Sequence, residues 1–178
     1  MLGLDDDEVR LVPHDDSWAS QFDGETQRLL SVIGDWARGI EHVGSTSIRG
    51  MRAKPIIDIL AGIAEMSEVF RCVAPLESIG YRYLGEYGLP GRHFFRAGTP
   101  TRIHLHIVEW QGRLWRRDLL FRDYLRAKTE ARDRYSSEKS GLAERFAADR
   151  DAYQAGKEGV IQQLLLEAHE WIEHDRRT

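Results

Sequence analysis

The sequence predicts an α+β fold in a single domain spanning residues 1–178, with the sheet in about residues 1–112 and a helical extension over about 113–178. Three observations carry that expectation. Between Ile40 and Glu109, short β-rich runs alternate with turns built on glycine and proline. From Leu114 onward, turn residues thin out, charge becomes dense and apolar residues recur at helical spacing. A chain of 178 residues with 42% hydrophobic content is also long enough to bury one core.

Val9 to Val12 reads as a short edge strand stopped by Pro13, and Asp15, Asp16 and Ser17 then supply helix-starting side chains. Trp18, Phe22, Leu29, Ile33 and Trp36 share one face of the helix that follows, which is expected to end near Gly39. Ile40 and Val43 close a short strand, Gly44-Ser45 turns the chain, and Pro55 to Ala61 is β-rich. Ser67 opens a second helix, with Val69, Val73, Leu76 and Ile79 inward and Gly80 as its stop. Cys72, the single cysteine, lies inside it and reads as a packing residue.

Three strands follow at Tyr81–Leu84, Arg92–Ala97 and Thr101–Glu109. In the last of them alternation puts Arg102, His104 and His106 on one face and Ile103, Leu105 and Ile107 on the other. His93 and Arg96, on the strand before, fall on opposite faces. The helical extension divides into a segment from Leu114 to about Lys128, one around Tyr135 to Ala148, and one from about Asp151 to Arg176. The last carries Ile161, Leu164, Leu165, Ala168 and Ile172 on one stripe.

A net charge of −4 and a pI near 6.0 argue against a nucleic-acid backbone as partner. One cysteine fits a reducing compartment, the start MLGLDDDEVR is acidic where a signal peptide is basic, and no apolar run reaches bilayer length. A cytoplasmic protein with no membrane partner is expected, its oligomeric state left open. No Cys-x-x-Cys, His-Glu-x-x-His, Walker-type or Gly-x-Ser-x-Gly pattern occurs.

The chemistry concentrates between His42 and Leu60, HVGSTSIRGMRAKPIIDIL. Asp58 stands among aliphatic strand residues, where a carboxylate is costly unless it is paired, hydrogen-bonded or bound to a cation. Backbone amides and serine at Gly44-Ser45 could hold a phosphate, Asp58 the metal that neutralises it, and Lys54 and Arg49 place cations between them. The plainer reading is a tight turn and a strand whose Asp58 pairs with an arginine. His104 and His106, at i and i+2, could share an anion or a metal ion, or form a hydrogen-bonded pair on a half-open sheet.

The segments EHVGSTSIRGMRAKPIIDIL, HFFR at His93–Arg96, HLHIVE at His104–Glu109 and WRRDLLFRDYLR at Trp115–Arg126, with Tyr135, Lys139, Tyr153 and Lys157, resemble the GrpB-like proteins of the nucleotidyltransferase fold superfamily. The resemblance covers nearly the whole chain. It implies a nucleotidyltransferase-like mixed β-sheet flanked by helices, with Gly44 and Ser45 as the phosphate turn and Asp58 as the first metal-binding acid. It further implies Mg2+-dependent transfer of a nucleoside monophosphate from a nucleoside triphosphate to a small-molecule acceptor.

Two departures stand out. The superfamily's second acid falls at Leu60, and His104 and His106, with Glu109 at the strand's end, stand where a later carboxylate is expected. The expected site therefore has Asp58, His104 and His106 at its centre, with Glu109 as a further metal ligand. Gly44, Ser45, Arg49, Lys54 and Arg96 would lie on the phosphates, and His93, Tyr135, Lys139, Tyr153 and Lys157 on the acceptor side. Alternatives are a non-catalytic nucleotide- or anion-binding module and a transition-metal site at Asp58, His104 and His106.

Overall fold

The computed structural model describes residues 2–5 and 8–175. Its fold is α+β, a mixed sheet flanked by helices, as expected. Strands β1 (Ala37–Val43), β2 (Ile57–Ile63), β3 (Tyr81–Tyr83), β4 (Arg92–Ala97) and β5 (Ile103–Glu109) form a five-stranded sheet in the order β1-β2-β5-β4-β3. β2 and β5 run parallel, while the other neighbours are antiparallel.

Helices α1 (Ser17–Ile33) and α2 (Val69–Ser78) cover one face. Trp18, Leu29 and Ile33 of α1 and Val69, Cys72 and Leu76 of α2 pack on Ile57, Ile59, Ala61, Phe95, Leu105 and Ile107. Cys72 is fully buried and its thiol is pushed up to about 11 by desolvation, so it is a packing residue without thiolate character. Helices α3 (Arg113–Ala127), α4 (Thr129–Arg145) and α5 (Arg150–Asp175) lie over part of the opposite face. Leu60 and Val108 pack there against Leu114 and Trp115, and Ile48 and Met51 join Leu125, Tyr135, Leu164 and Ala168.

The differences from expectation sit at element ends. Val9 to Val12 is not a strand; Val12 makes an isolated bridge to Ala53. Helix α1 stops at Ile33 instead of near Gly39, because from Ala37 the backbone pairs with β2 instead of with the preceding turn. Trp36 still packs on the core from outside the helix. The start of α1 is held by Asp15, whose side chain accepts a hydrogen bond from the Ser17 amide at 2.9 Å. Helix α4 begins at Thr129, earlier than Tyr135, and ends at Arg145. Arg176, the expected last residue of the third helix, lies outside the described residues.

Candidate functional site

Sheet register builds the centre of the site. Val43 of β1, Asp58 of β2, His104 of β5 and Arg96 of β4 form one continuous rung across the face turned toward α3, α4 and α5. His104 donates from Nδ1 to Asp58 Oδ1 at 2.9 Å, and His106 Nε2 lies 3.8 Å from the same oxygen. Ligand atoms of the three side chains all fall within 4.8 Å of one another. Phe94, itself buried, stands at 5.2 Å from His104 and 5.0 Å from His106, ring centre to ring centre.

Burial works to raise the Asp58 pKa, but the hydrogen bonds and charges of His104 and His106 outweigh it and hold the carboxyl well below its usual range. His104 is lowered to about 4 by burial, against the opposing pull of Asp58. With Nδ1–H committed to Asp58, its Nε2 is buried and has no hydrogen-bond partner among the described residues. A buried lone pair of this kind can take a proton or a metal ion.

The Gly44-Ser45 turn is fixed from three sides. Gly44 has φ 67°, and a Cβ there would run into the Asp58 carboxylate, so only glycine brings turn and acid this close. His42, stacked on Phe22 at 4.8 Å, meets the Thr46 hydroxyl at 3.0 Å, and Arg126 of α3 donates to the Ser47 carbonyl at 2.9 Å. Lys139 of α4 donates to Ser45 Oγ at 2.8 Å and to the Arg52 carbonyl at 2.9 Å, and lies 4.9 Å from the centre of the Tyr135 ring.

These groups open onto a cavity of about 600 Å³, within the size of small-molecule sites. Lys54, Arg92, Arg96, Arg117, Lys139, Arg150 and Lys157 line it, seven cations against the three carboxylates Asp58, Asp151 and Glu158. Burial lowers Lys54 to about 8 and Lys139 and Lys157 to about 7, and their mutual repulsion contributes at Lys157. An anion entering beside these three lysines would favour their protonated form.

Comparison with known proteins identifies the family. The family model described as GrpB protein matches residues 8–167. The chain belongs to the GrpB family. It is 37% identical over 173 residues to the glutamate-rich protein GrpB of Alkalihalophilus pseudofirmus, covering 94% of this chain and 99% of that protein. A UPF0157 protein of Pseudomonas aeruginosa is 37% identical over 166 residues, covering 90% and 68%. The crystal structure of the conserved protein GrpB from Enterococcus faecalis superposes with a TM-score of 0.85 at 33% identity, covering 92% of this chain and 99% of that one.

In this GrpB-family chain Gly44, Ser45, Lys54, Asp58, Arg96, His104, His106, Tyr135, Lys139, Tyr153 and Lys157 line one cavity. Three other residues named from sequence do not. Arg49 has an 89% exposed side chain whose nearest acid is Asp16 at 3.8 Å. His93 points to the other face of the sheet, where its Nδ1 meets the Tyr83 hydroxyl at 2.6 Å and its ring abuts Phe70. Glu109 is exposed at the end of β5, an odd number of residues from the two histidines and so on the opposite face. Arg102 precedes the strand and lines a second cavity of about 610 Å³ with Arg28, Arg82 and Arg96, a cavity that Asp58 does not line.

Residues missed from sequence include Tyr87, Arg92 and Arg117 in the main cavity. Asp118 joins Gly44, Asp58 and His106 around a smaller space of about 180 Å³, where burial raises its carboxyl pKa. A signal existed for Asp118: with Leu114, Phe121 and Leu125 it follows steps of four, three and four, an acid on the inward stripe of a helix.

The donor set at Asp58 supplies one carboxylate and two imidazoles. That set suits a borderline divalent ion; for Mg2+ it offers a single oxygen-bearing side chain, and the remaining oxygen ligands would have to come from a bound ligand or water. The second-acid position cannot help, since Leu60 is fully buried among Val43, Val108, Leu114 and Trp115. Among the described residues no helix is long and apolar enough to cross a membrane.

Proposed function

We propose that this chain is a cytoplasmic nucleotidyltransferase-type enzyme that moves a nucleoside monophosphate from a nucleoside triphosphate to a small-molecule acceptor. One observation carries the reading: Asp58, flanked by two imidazoles and capped by Gly44, lies in a cavity where cations outnumber carboxylates seven to three. Ser45, Lys54, Lys139 and Lys157 take the triphosphate, with Tyr135 and Tyr153 walling that end. Tyr135, Lys139, Tyr153 and Lys157, expected on the acceptor side, are assigned to the phosphates because Lys139 touches Ser45 and Tyr135 while Lys54 and Lys157 share Tyr153. Asp58 and His106 would hold a divalent ion, which would supply charge neutralisation on the phosphates.

His104, oriented by Asp58 through Nδ1, presents Nε2 as the group that accepts the acceptor's proton. An O–P bond forms from the acceptor to the α-phosphorus as the α–β bridging P–O bond breaks, and pyrophosphate leaves. A second reading, a binding module without turnover, is favoured by Leu60, which removes one metal acid and fills its place with core packing.

The test is pyrophosphate release. The protein would be incubated with each nucleoside triphosphate, a divalent ion and fractionated metabolite extract, beside Asp58→Asn with its melting temperature recorded. Pyrophosphate from one fraction, abolished in a folded Asp58→Asn variant, supports transfer. Triphosphate binding without pyrophosphate from any fraction supports the binding module.

A further inference from the structure

Most serine hydroxyls of this chain are committed to the backbone. Those of Ser20, Ser31, Ser47, Ser78 and Ser140 donate to carbonyls three or four residues back, as serines in helices and turns commonly do. Ser45 differs. Among the described residues its hydroxyl meets only the Lys139 amine, 2.8 Å away, so the one protein atom placed to take its proton is that nitrogen. It is half-buried on the wall of the main cavity, next to the Gly44 turn.

Lys139 follows Ala131 and Tyr135 at steps of four on the buried stripe of α4 and is 2% exposed. Among the described residues no carboxylate pairs with it at ion-pair distance; its amine is held by the Arg52 carbonyl at 2.9 Å and by Ser45. The Arg52 contact fixes the nitrogen in either charge state, because a neutral amine keeps hydrogens to donate there while its lone pair turns to the Ser45 O–H. An amine buried without a counter-ion favours its neutral form. Burial, with repulsion from Lys54, outweighs the pull of Asp58 and brings Lys139 to about 7. A neutral amine against a hydroxyl is a pairing that makes a serine nucleophilic.

We propose that Ser45 and Lys139 form a nucleophile–base pair and that Ser45 accepts a phosphoryl group covalently. This goes beyond the transferase reading, in which Ser45 binds phosphate without reacting, and it needs neither a metal ion nor His104. The Ser45 Oγ–P bond forms as the bond from phosphorus to its leaving oxygen breaks; the Ser45 proton passes to Lys139 Nζ, and the leaving group departs with the electron pair of the broken bond. The donor is a phosphate ester or anhydride. Lys54 and Lys157, which share the Tyr153 ring and line the same cavity, supply positive charge for its non-bridging oxygens.

The test is labelling of the full chain with diisopropyl fluorophosphate, from which serine attack expels fluoride, read by intact mass and peptide mapping. The expected result is one adduct, on Ser45, absent from Ser45→Ala and formed at least a hundredfold more slowly in Lys139→Met and Lys139→Arg. Arginine keeps a cation on that stripe but cannot act as a base, so its failure separates a base from a strut; melting temperatures confirm that the variants fold. In the wild type the labelling rate should climb with pH and level off past a midpoint near 7. The groups facing Lys139 are Lys54 and Asp58 from the sheet side, Tyr153 and Lys157 from α5 and Tyr135 on its own helix, and among the described residues none of them is hydrogen-bonded to Ser45. No adduct at Ser45, or one formed at the wild-type rate in either folded variant, overturns the proposal and leaves Lys139 as a strut for the turn. Should both variants fail to fold, the wild-type profile decides: a plateau above the midpoint supports the pair, and a rate that rises with hydroxide through pH 9 removes it.

Discussion

Nucleotide binding is predicted to draw protons into the protein. Lys139 and Lys157 are held at about 7 and Lys54 at about 8, each mainly by burial. At pH 8 a group with a pKa of 7 is about one-tenth protonated and one with a pKa of 8 about half. A triphosphate seated on all three would restore their charges, with an uptake of about two protons per site. Lys139→Met, which removes the amine on Ser45, should cut that uptake by about one proton and weaken binding by about 1.5–3 kcal/mol, the range for a charge-assisted hydrogen bond. The assay is titration calorimetry at pH 8 in HEPES and in Tris, whose different ionisation enthalpies turn proton uptake into a slope of apparent enthalpy. Binding with no buffer dependence would mean that the phosphates do not sit on these lysines, and would refute the placement.

The same shifts set the pH dependence of stability. Lysines whose folded pKa lies below the unfolded 10.5 leave the unfolded chain holding more protons, so the free protein should become more stable from about pH 7 toward 9.5, read by thermal melts. His42, lowered from 6.5 to about 4 by burial, acts at lower pH: the unfolded chain takes up a proton first, and stability falls through that window by about 3 kcal/mol. His42→Gln should flatten that acid slope in urea titrations, and an unchanged slope would exonerate His42. Leu60→Asp, placing a carboxylate in a fully buried apolar cluster, should destabilise by about 4 kcal/mol or more, and magnesium should not restore it. Rescue by magnesium would show that position 60 reaches the metal. Gly44→Ala, strained at φ 67° and driven against the Asp58 carboxylate, should cost about 2–3 kcal/mol in denaturant titrations and weaken divalent-ion binding; a neutral change would show that the turn yields.

The side chains that meet in the candidate cavity were partly legible in the chain because some of their signals were local. An acid within an aliphatic run marked Asp58, and alternation put His104 and His106 on one face, whereas Lys139, which meets Ser45 from 94 residues away, was reached only through the resemblance. Alternation also separated His93 from Arg96 correctly, yet His93 was carried into the acceptor side on the strength of resemblance, and the sheet turns it away. Arg49 and Glu109 failed for a related reason: nearness in sequence to a functional group does not fix the direction of a side chain in a turn or at a strand end. Arg117 and Asp118 were hidden in a dense charge pattern that reads as solvated helix surface, and only the packing of α3 across β5 turns them inward. The end of α1 was misplaced because pairing of β1 with β2 is non-local and overrides the helical spacing of Trp36.

The most direct test of the account is calorimetric titration of nucleoside triphosphates into the wild-type protein and Asp58→Asn, each with and without magnesium. Binding that magnesium strengthens is expected in the wild type, and binding without that magnesium dependence, or lost altogether, in a folded Asp58→Asn variant. Binding of equal strength in both proteins, indifferent to magnesium, would contradict the assignment of Asp58 as the ion-holding acid of a nucleotide site.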